Sequence, residues 1–549
     1  MSADAASRQD PQIVQHPRAL EPATLVLTIV LAAVGAFIGI HLITQLGIST
    51  HTSVIGAIIA MLVGRLGFLG LGKFRNVHRQ NLAQTAISAG TFGAANALIL
   101  PLAVTWAFGR PDLIWPMFVG AAGGLFVDAW ILYRAFGSKF LSARGAWPPG
   151  VAAAEAIKAG DQGGRRAAVL VGGGAIGFVL AWFGLSASAA GVALIGNVVA
   201  LAMFGLGLLV VQYYGLIPAL ADFSLSDNYI PHGIMIGAGV IALIQVGFIL
   251  ADRRKGKTEE SATQSESTES DPSLQDTVAP NQLRNGLGSG FTLFLLVGVL
   301  LAFVSGLWTE MSVPALIAWV LFAAVAAFVS ELIVGLAAMH AGWFPATAIT
   351  LIFLMLGLLL GFPPEALLVL VGYTAATGPA FADMGYDFKT GWILRRVHAR
   401  HPRYTDYERS GQKQQYYSAM IGFVVALGLV ALLWQPYFEA GRIPPIAEVF
   451  AGTITVGLTN TEALQNMLWW GVLGAALQAV GGAKRQMGVM LATGLLIAAP
   501  YAGWLVLGAI VLRLTVVRIW GRKTEENLQL VGAGIITGDA FASLGQVFR

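Results

Sequence analysis

Residues 23–43, ATLVLTIVLAAVGAFIGIHLI, run for 21 positions without an Asp, Glu, Lys or Arg. A helix needs roughly 20 apolar residues to cross the hydrocarbon core of a bilayer. This stretch therefore reads as a membrane span, and the pattern recurs outward from it. Further apolar runs lie near 51–72, 82–108, 112–134, 165–185, 189–219, 229–251, 289–308, 312–337, 343–361, 364–384, 414–435, 443–458, 463–481, 487–517 and 527–547. The runs 189–219 and 487–517 are too long for one straight helix, and Pro500 interrupts the second. Each is expected to be a broken helix or a tight pair. The fold class expected is an all-α polytopic membrane protein. It would have about 16 transmembrane helices in two repeated halves, with short or broken helices at the centre.

The composition excludes other classes. Only 11% of the 549 residues are charged, against about 25% in an ordinary soluble domain. Mean hydropathy is +0.71. Cysteine is absent, which removes disulfide scaffolds and cysteine-ligated metal centres. A transmembrane β-barrel would show short alternating segments instead of long apolar runs. The pI of about 9.2 does not point to nucleic acid. The basic residues stand at the ends of apolar runs, as the positive-inside rule expects.

Residues 1–21, polar and interrupted by Pro11 and Pro17, read as a cytoplasmic tail with no cleavable signal. A first membrane half covers 22–251 and a second 289–549. Between them, 252–288 contains SATQSESTESDPSLQD and reads as a disordered polar linker. Three short matches recur in the same order on both sides of it. Ala154-Glu155-Ala156-Ile157-Lys158-Ala159-Gly160 aligns with Gly385-Tyr386-Asp387-Phe388-Lys389-Thr390-Gly391. Gly237-Ala238-Gly239 aligns with Gly532-Ala533-Gly534, and Ser88-Ala89-Gly90 with His340-Ala341-Gly342. The order suggests a duplication.

Charge inside a membrane is costly, so each intramembrane ionisable group is a functional candidate. Glu155 and Lys158 follow Pro148-Pro149 and share a helix face. Asp383, Asp387 and Lys389 follow Gly378-Pro379. On the functional reading these are two half-helices lining a polar cavity. The alternative is acid–lysine pairs that neutralise themselves at helix ends. Asp539, Asp128 and Glu331 lie inside apolar runs; the last two could also partner an arginine such as Arg65. His232 and His340 stand beside glycines at run ends. Gln84, Thr85, Ser88 and Asn96 form a polar stripe that serves either helix packing or a cavity wall. No phosphate-binding loop, nucleophile elbow or zinc-hydrolase motif is present, which argues against an ATP-driven pump or a membrane hydrolase.

Four segments carry a family resemblance: QNLAQTAISAG (80–90), AWPPGVAAAEAIKAGD (146–161), GPAFADMGYDFKTGWILR (378–395) and LVGAGIITGDAFASL (530–544). They resemble recurrent segments of the oligopeptide transporter (OPT) superfamily, which includes the yellow stripe-like transporters. The paired asparagines often found in a central family helix are missing at His340–Pro345. The resemblance implies a multi-pass protein of the cell membrane, of prokaryotic inner or plasma membrane type. It also implies secondary active transport by proton-coupled symport, with peptides, peptide-like molecules or metal chelates as substrate. The proton gradient is then the driving force, and neither a cofactor nor catalysis is expected. Expected partners are the substrate, protons and the lipid bilayer, with further copies of the chain left open. The site residues expected are Glu155, Lys158, Asp383, Asp387, Lys389, Asp539, Gln84 and His340. An uncoupled facilitator or channel, or a non-transporting assembly subunit, are the alternatives.

Overall fold

A computed structural model describes residues 15–47, 60–64, 71–161, 164–245, 277–341, 346–496 and 501–547, less positions 62, 186, 221–222, 226–227, 243, 400, 460 and 522. The expected span 51–72, Arg65, Pro500 and linker residues 252–276 lie largely or wholly outside this set.

Among the described residues the regular structure is helical, apart from an isolated bridge between Phe136 and Leu141. Helix α1 is Pro22–Leu46, and α2 runs Val77–Ala107 with a π-helical turn at Gly93–Ile99. Next come α3 (Ile114–Ala135), α4 (Pro148–Asp161), α5 (Gly164–Trp182), α6 (Ala187–Ile195), α7 (Val198–Tyr213) and α8 (Ile230–Ala242). The remainder comprises α9 (Pro280–Val304), α10 (Val313–Ala341), α11 (Ala346–Leu359), α12 (Pro364–Ala376), α13 (Pro379–Arg395), α14 (Tyr404–Glu439), α15 (Pro445–Thr459), α16 (Thr461–Arg485), α17 (Met487–Leu495), α18 (Ala502–Trp520) and α19 (Lys523–Val547). Nine helices among the described residues are long and apolar enough to cross a membrane.

Proline opens many of these elements. Pro22, Pro280, Pro364 and Pro379 stand in the first turn, where no backbone N–H is needed and the fixed φ suits a helix. Asn76 and Asn197 cap α2 and α7 with their side-chain oxygens. The Asn197 cap, with Gly196 before it, splits the long run 189–219 into α6 and α7. The run 487–517 is likewise two helices, α17 and α18.

Three boundaries differ from the sequence reading. The run 364–384 is two helices, because the chain breaks at Thr377-Gly378. Gly378 has φ +103, outside any helical region. Helix α14 starts ten residues before the apolar run it carries, since its polar first turns are buried against protein. Helix α9 begins at Pro280, so residues 280–288 of the expected linker are helical.

The centre of the molecule is α12–α13, two successive half-helices interrupted at Thr377-Gly378, whose apolar window is wholly buried. Helices α2, α3, α4, α10 and α14 pack around α13. Large apolar side chains on α9 and α10, such as Leu296, Val299, Phe303, Ile317 and Leu321, face outward as a lipid-facing surface requires.

Candidate functional site

Helix α13 has little hydrophobic character of its own, yet nearly all its residues are buried. Its polar side chains must therefore find partners on neighbouring helices. The Ser88 hydroxyl of α2 donates to the Asp383 carboxylate, 2.7–2.8 Å from its oxygens. One turn further along α2, toward its start, the Gln84 amide donates to Asp387. The i, i+4 spacing of 84 and 88 matches that of 383 and 387, so the two helices meet as two rungs. Gln415 of α14 closes the far side, donating to the Asp387 carbonyl at 2.6 Å and to the Thr85 hydroxyl at 3.3 Å.

Lys389 leaves this group for another wall. Its Nζ donates to the carbonyls of Ala143 and Gly145 at 2.8 and 2.9 Å and lies 4.4 Å from the Trp392 ring centroid. Those carbonyls belong to the 136–147 loop, which enters the protein between α3 and α4. Trp147 ends the loop at φ +39, in the left-handed region that a bulky residue occupies only when its surroundings impose it. Its backbone N–H reaches Met339 O and its indole N–H reaches Ser142 O, both at 2.9 Å. Its ring packs against Gly385, where a Cβ would collide with it. The Thr390 hydroxyl donates to Gly150 O at 2.9 Å, which ties α13 to the start of α4.

At the end of α13, Arg395 makes a bidentate pair with Glu408 (2.6 and 2.8 Å) and donates to Gln415 at 2.8 Å, all fully buried. Gln415 thus joins the carboxylate rungs to this ion pair. Asn81, on α2 one turn before Gln84, is buried with neither amide atom hydrogen-bonded among the described residues.

The arrangement is a closed polar core inside an apolar protein. It carries two carboxylates, one lysine and several amides and hydroxyls, and Asp383, Asp387 and Lys389 are 5% exposed or less. Such a set can take protons, an amine and a carboxylate.

A family model described as OPT oligopeptide transporter protein matches residues 21–251 and 220–548. The chain belongs to this family. It is a multi-pass integral membrane protein and a transport protein, as the resemblance implied. A search of curated proteins finds no match.

The expected residues distribute unevenly. Asp383, Asp387 and Gln84 meet in one core, while Lys389 of the same helix turns to the 136–147 loop. Glu155 and Lys158 do not join it: they pair with each other at 2.9 Å, with side chains 62% and 41% exposed. Helix α4 turns Ala153, Ala154 and Ile157 inward, which puts these two charges outward, where they pair with each other. Asp539 is buried on α19, which packs chiefly along α5 and α6. His340 lies in α10, its side chain outside the described residues. The sequence reading took Arg395 as one of several basic loop residues that orient the chain, and it did not single out Glu408 or Gln415, because a crowded basic stretch reads as solvated loop.

Proposed function

We propose that this transporter is a proton-coupled symporter of small peptides, peptide-like molecules or metal chelates, with its site around α13. The supporting observation is the pair of buried carboxylates, Asp383 and Asp387. They stand one turn apart on a half-helix, and the Ser88 hydroxyl and the Gln84 amide donate to them. Carboxylates so placed can accept a substrate amine or a proton when the core opens. Lys389, held by two backbone carbonyls, is the group suited to a substrate carboxylate. Alternating access would move one half against the other and admit water to α13. Glu155 and Lys158 have no part in this site.

The test is uptake into proteoliposomes under an inward proton gradient, screened over labelled peptides and chelates. Wild type should accumulate at least one of them, and a protonophore should abolish the accumulation. Asp383→Asn and Asp387→Asn should lose it, while Glu155→Gln should keep it. Uptake that ignores the protonophore would mean a facilitator. Purified protein that moves none of the compounds would favour an assembly subunit.

A further inference from the structure

A second acidic pair lies where α12 ends and α13 begins. Asp128 of α3 and Glu331 of α10 are both 0% exposed. Several contacts bring them to one place. Asp128 Oδ2 accepts the backbone N–H of Gly378 at 2.7 Å. One turn earlier on α3, a Cβ at Gly124 would touch the Thr377 methyl group and the Tyr373 ring. On α10, the carbonyl of Ala327, one turn before Glu331, receives the Thr377 hydroxyl at 3.4 Å. Val334, almost one turn after Glu331, lies against Gly378. Glu331 is thus level with the Thr377-Gly378 break, and Asp128 is the ionisable group acting on it.

Their hydrogen bonding is incomplete. Among the described residues, neither Glu331 oxygen has a partner, and neither has Asp128 Oδ1. No cation among them acts on either acid. The hydroxyl of Tyr373, which faces both, donates elsewhere, to Phe294 O at 2.9 Å. On α13 itself, Asp383 and Asp387 are engaged by Ser88 and Gln84, and Lys389 by the loop carbonyls. Two buried carboxylates without a counter-cation cannot both stay ionised.

The two acids are not equivalent. Gly378 is the N-cap of α13 and has no side chain to satisfy the first amides of the helix. Asp128 reaches the start of α13 from another helix, accepting the Gly378 N–H and drawing on the Phe381 N–H of the first turn, and the positive end of α13 favours its anion. Glu331 has no such support. The geometry points to one proton shared by Asp128 and Glu331 at the broken start of α13, with Asp128 as the ionised cap and Glu331 as the acid that carries the proton. The Glu331 O–H then donates to the unfilled Asp128 oxygen. Loss of that proton leaves two anions at the hinge, so its release is linked to displacement of the start of α13. This deepens the proton-coupled reading above, yet it can be tested without any substrate.

The test uses the full chain in phosphatidylcholine–phosphatidylglycerol vesicles, as wild type, Glu331→Gln and Asp128→Asn. Infrared spectroscopy at neutral pH reads the carbonyl stretch of protonated carboxylic acids. Wild type should show a band that Glu331→Gln removes and Asp128→Asn shifts. Hydrogen–deuterium exchange of the peptide covering 376–390, corrected for intrinsic rates, reads the linkage. Wild-type protection should fall as pH rises, and Glu331→Gln should hold it constant. Glutamine is nearly isosteric with the protonated acid, and the exchange map of the other helices reports that the variant is folded. An acid band untouched by Glu331→Gln overturns the shared proton. The same pH response in wild type and variant overturns the linkage. Both can hold in a protein whose transport ignores a proton gradient, so failure of the symport reading is separately visible.

Discussion

Within the central core, the most consequential single interaction is the Arg395–Glu408 pair. Its two side chains are 0% and 3% exposed, and Gln415 depends on the arginine. Removing one partner of a buried pair typically costs 3–5 kcal/mol, roughly, because the other charge stays buried. Arg395→Ala should therefore lower the thermal unfolding midpoint in detergent sharply, while Lys158→Ala, at an exposed pair worth about 1 kcal/mol or less, should leave it nearly unchanged. A second residue-scale test concerns His16. It is buried beside His78 and Tyr407, with ring centroids 5.1 and 5.8 Å away. Burial is the main cause that holds its imidazole well below the usual range, with Arg395 adding to it. The released histidine titrates near ~6.5, so the undocked state binds more protons below that value. Docking of residues 15–21 should be complete above it and weaken as pH falls through it. Exchange protection of that segment should fall progressively below pH ~6.5, and His16→Phe should remove the dependence. At this scale the sequence showed which charges were out of place in a membrane, and so found Asp383, Asp387 and Lys389. It could not show which face of a helix looks inward. Glu155-x-x-Lys158 and Asp387-x-Lys389 look alike in print and differ only in burial. Arg395 and Glu408 were hidden for the opposite reason: their neighbours are charged too.

At the scale of elements, the break at Thr377-Gly378 organises the site. Gly378 holds a left-handed φ, and an added Cβ would press on Val334 at 3.0 Å. Gly378→Ala should thus be strained by about 1–3 kcal/mol. The measured result should be a lower unfolding midpoint together with faster amide exchange at the start of α13. The Gly-Pro pair was legible as an interruption, yet hydropathy alone carried the expected span across it to residue 384. Apolar residues continue on both sides of the break, and a hydropathy average does not register a dihedral angle. The same limit hid the π-helical turn at Gly93–Ile99, where Gly93 lies against Phe423 of α14. Helix α14 shows the converse. Its first turns are polar because Glu408, Gln412 and Gln415 face buried protein, and polarity in the sequence was read as water.

Across the whole molecule, glycine seams join helices on either side of the polar stretch 252–276, and two of them carry the repeated segments. Helix α8, late in the first half, packs on α16 of the second, with Gly237 against Gly471 and Gly474 against Ile234. Helix α19, last of the second half, packs on α5 of the first, with Gly538 against Gly174 and Gly177 against Ile535, and on α6 with Gly532 against Gly191. These are backbone-to-backbone approaches that a side chain would prevent. The repeated Gly-Ala-Gly segments, legible as a match between halves, fall on these seams; that each reaches into the opposite half was not legible. Gly237→Val should push α8 off α16 at a cost of about 1–3 kcal/mol. Protease should then cut between the halves at lower temperature than in wild type.

The full burial of α13 also bears on how the chain is made. Asp383, Asp387, Lys389 and Arg395 together oppose insertion of an isolated helix by about 10 kcal/mol on a per-residue scale. Insertion of α13 as a separate helix is therefore unfavourable. The segment has to be retained until α14 is synthesised and brings Glu408 and Gln415. Ribosome-bound chains that stop before residue 404 should leave α13 open to aqueous labelling at an introduced cysteine. Chains extended past 439 should protect it, with no background from a sequence that contains no cysteine of its own. Biosynthetic order is thus written into a polar, buried helix at the centre of the protein.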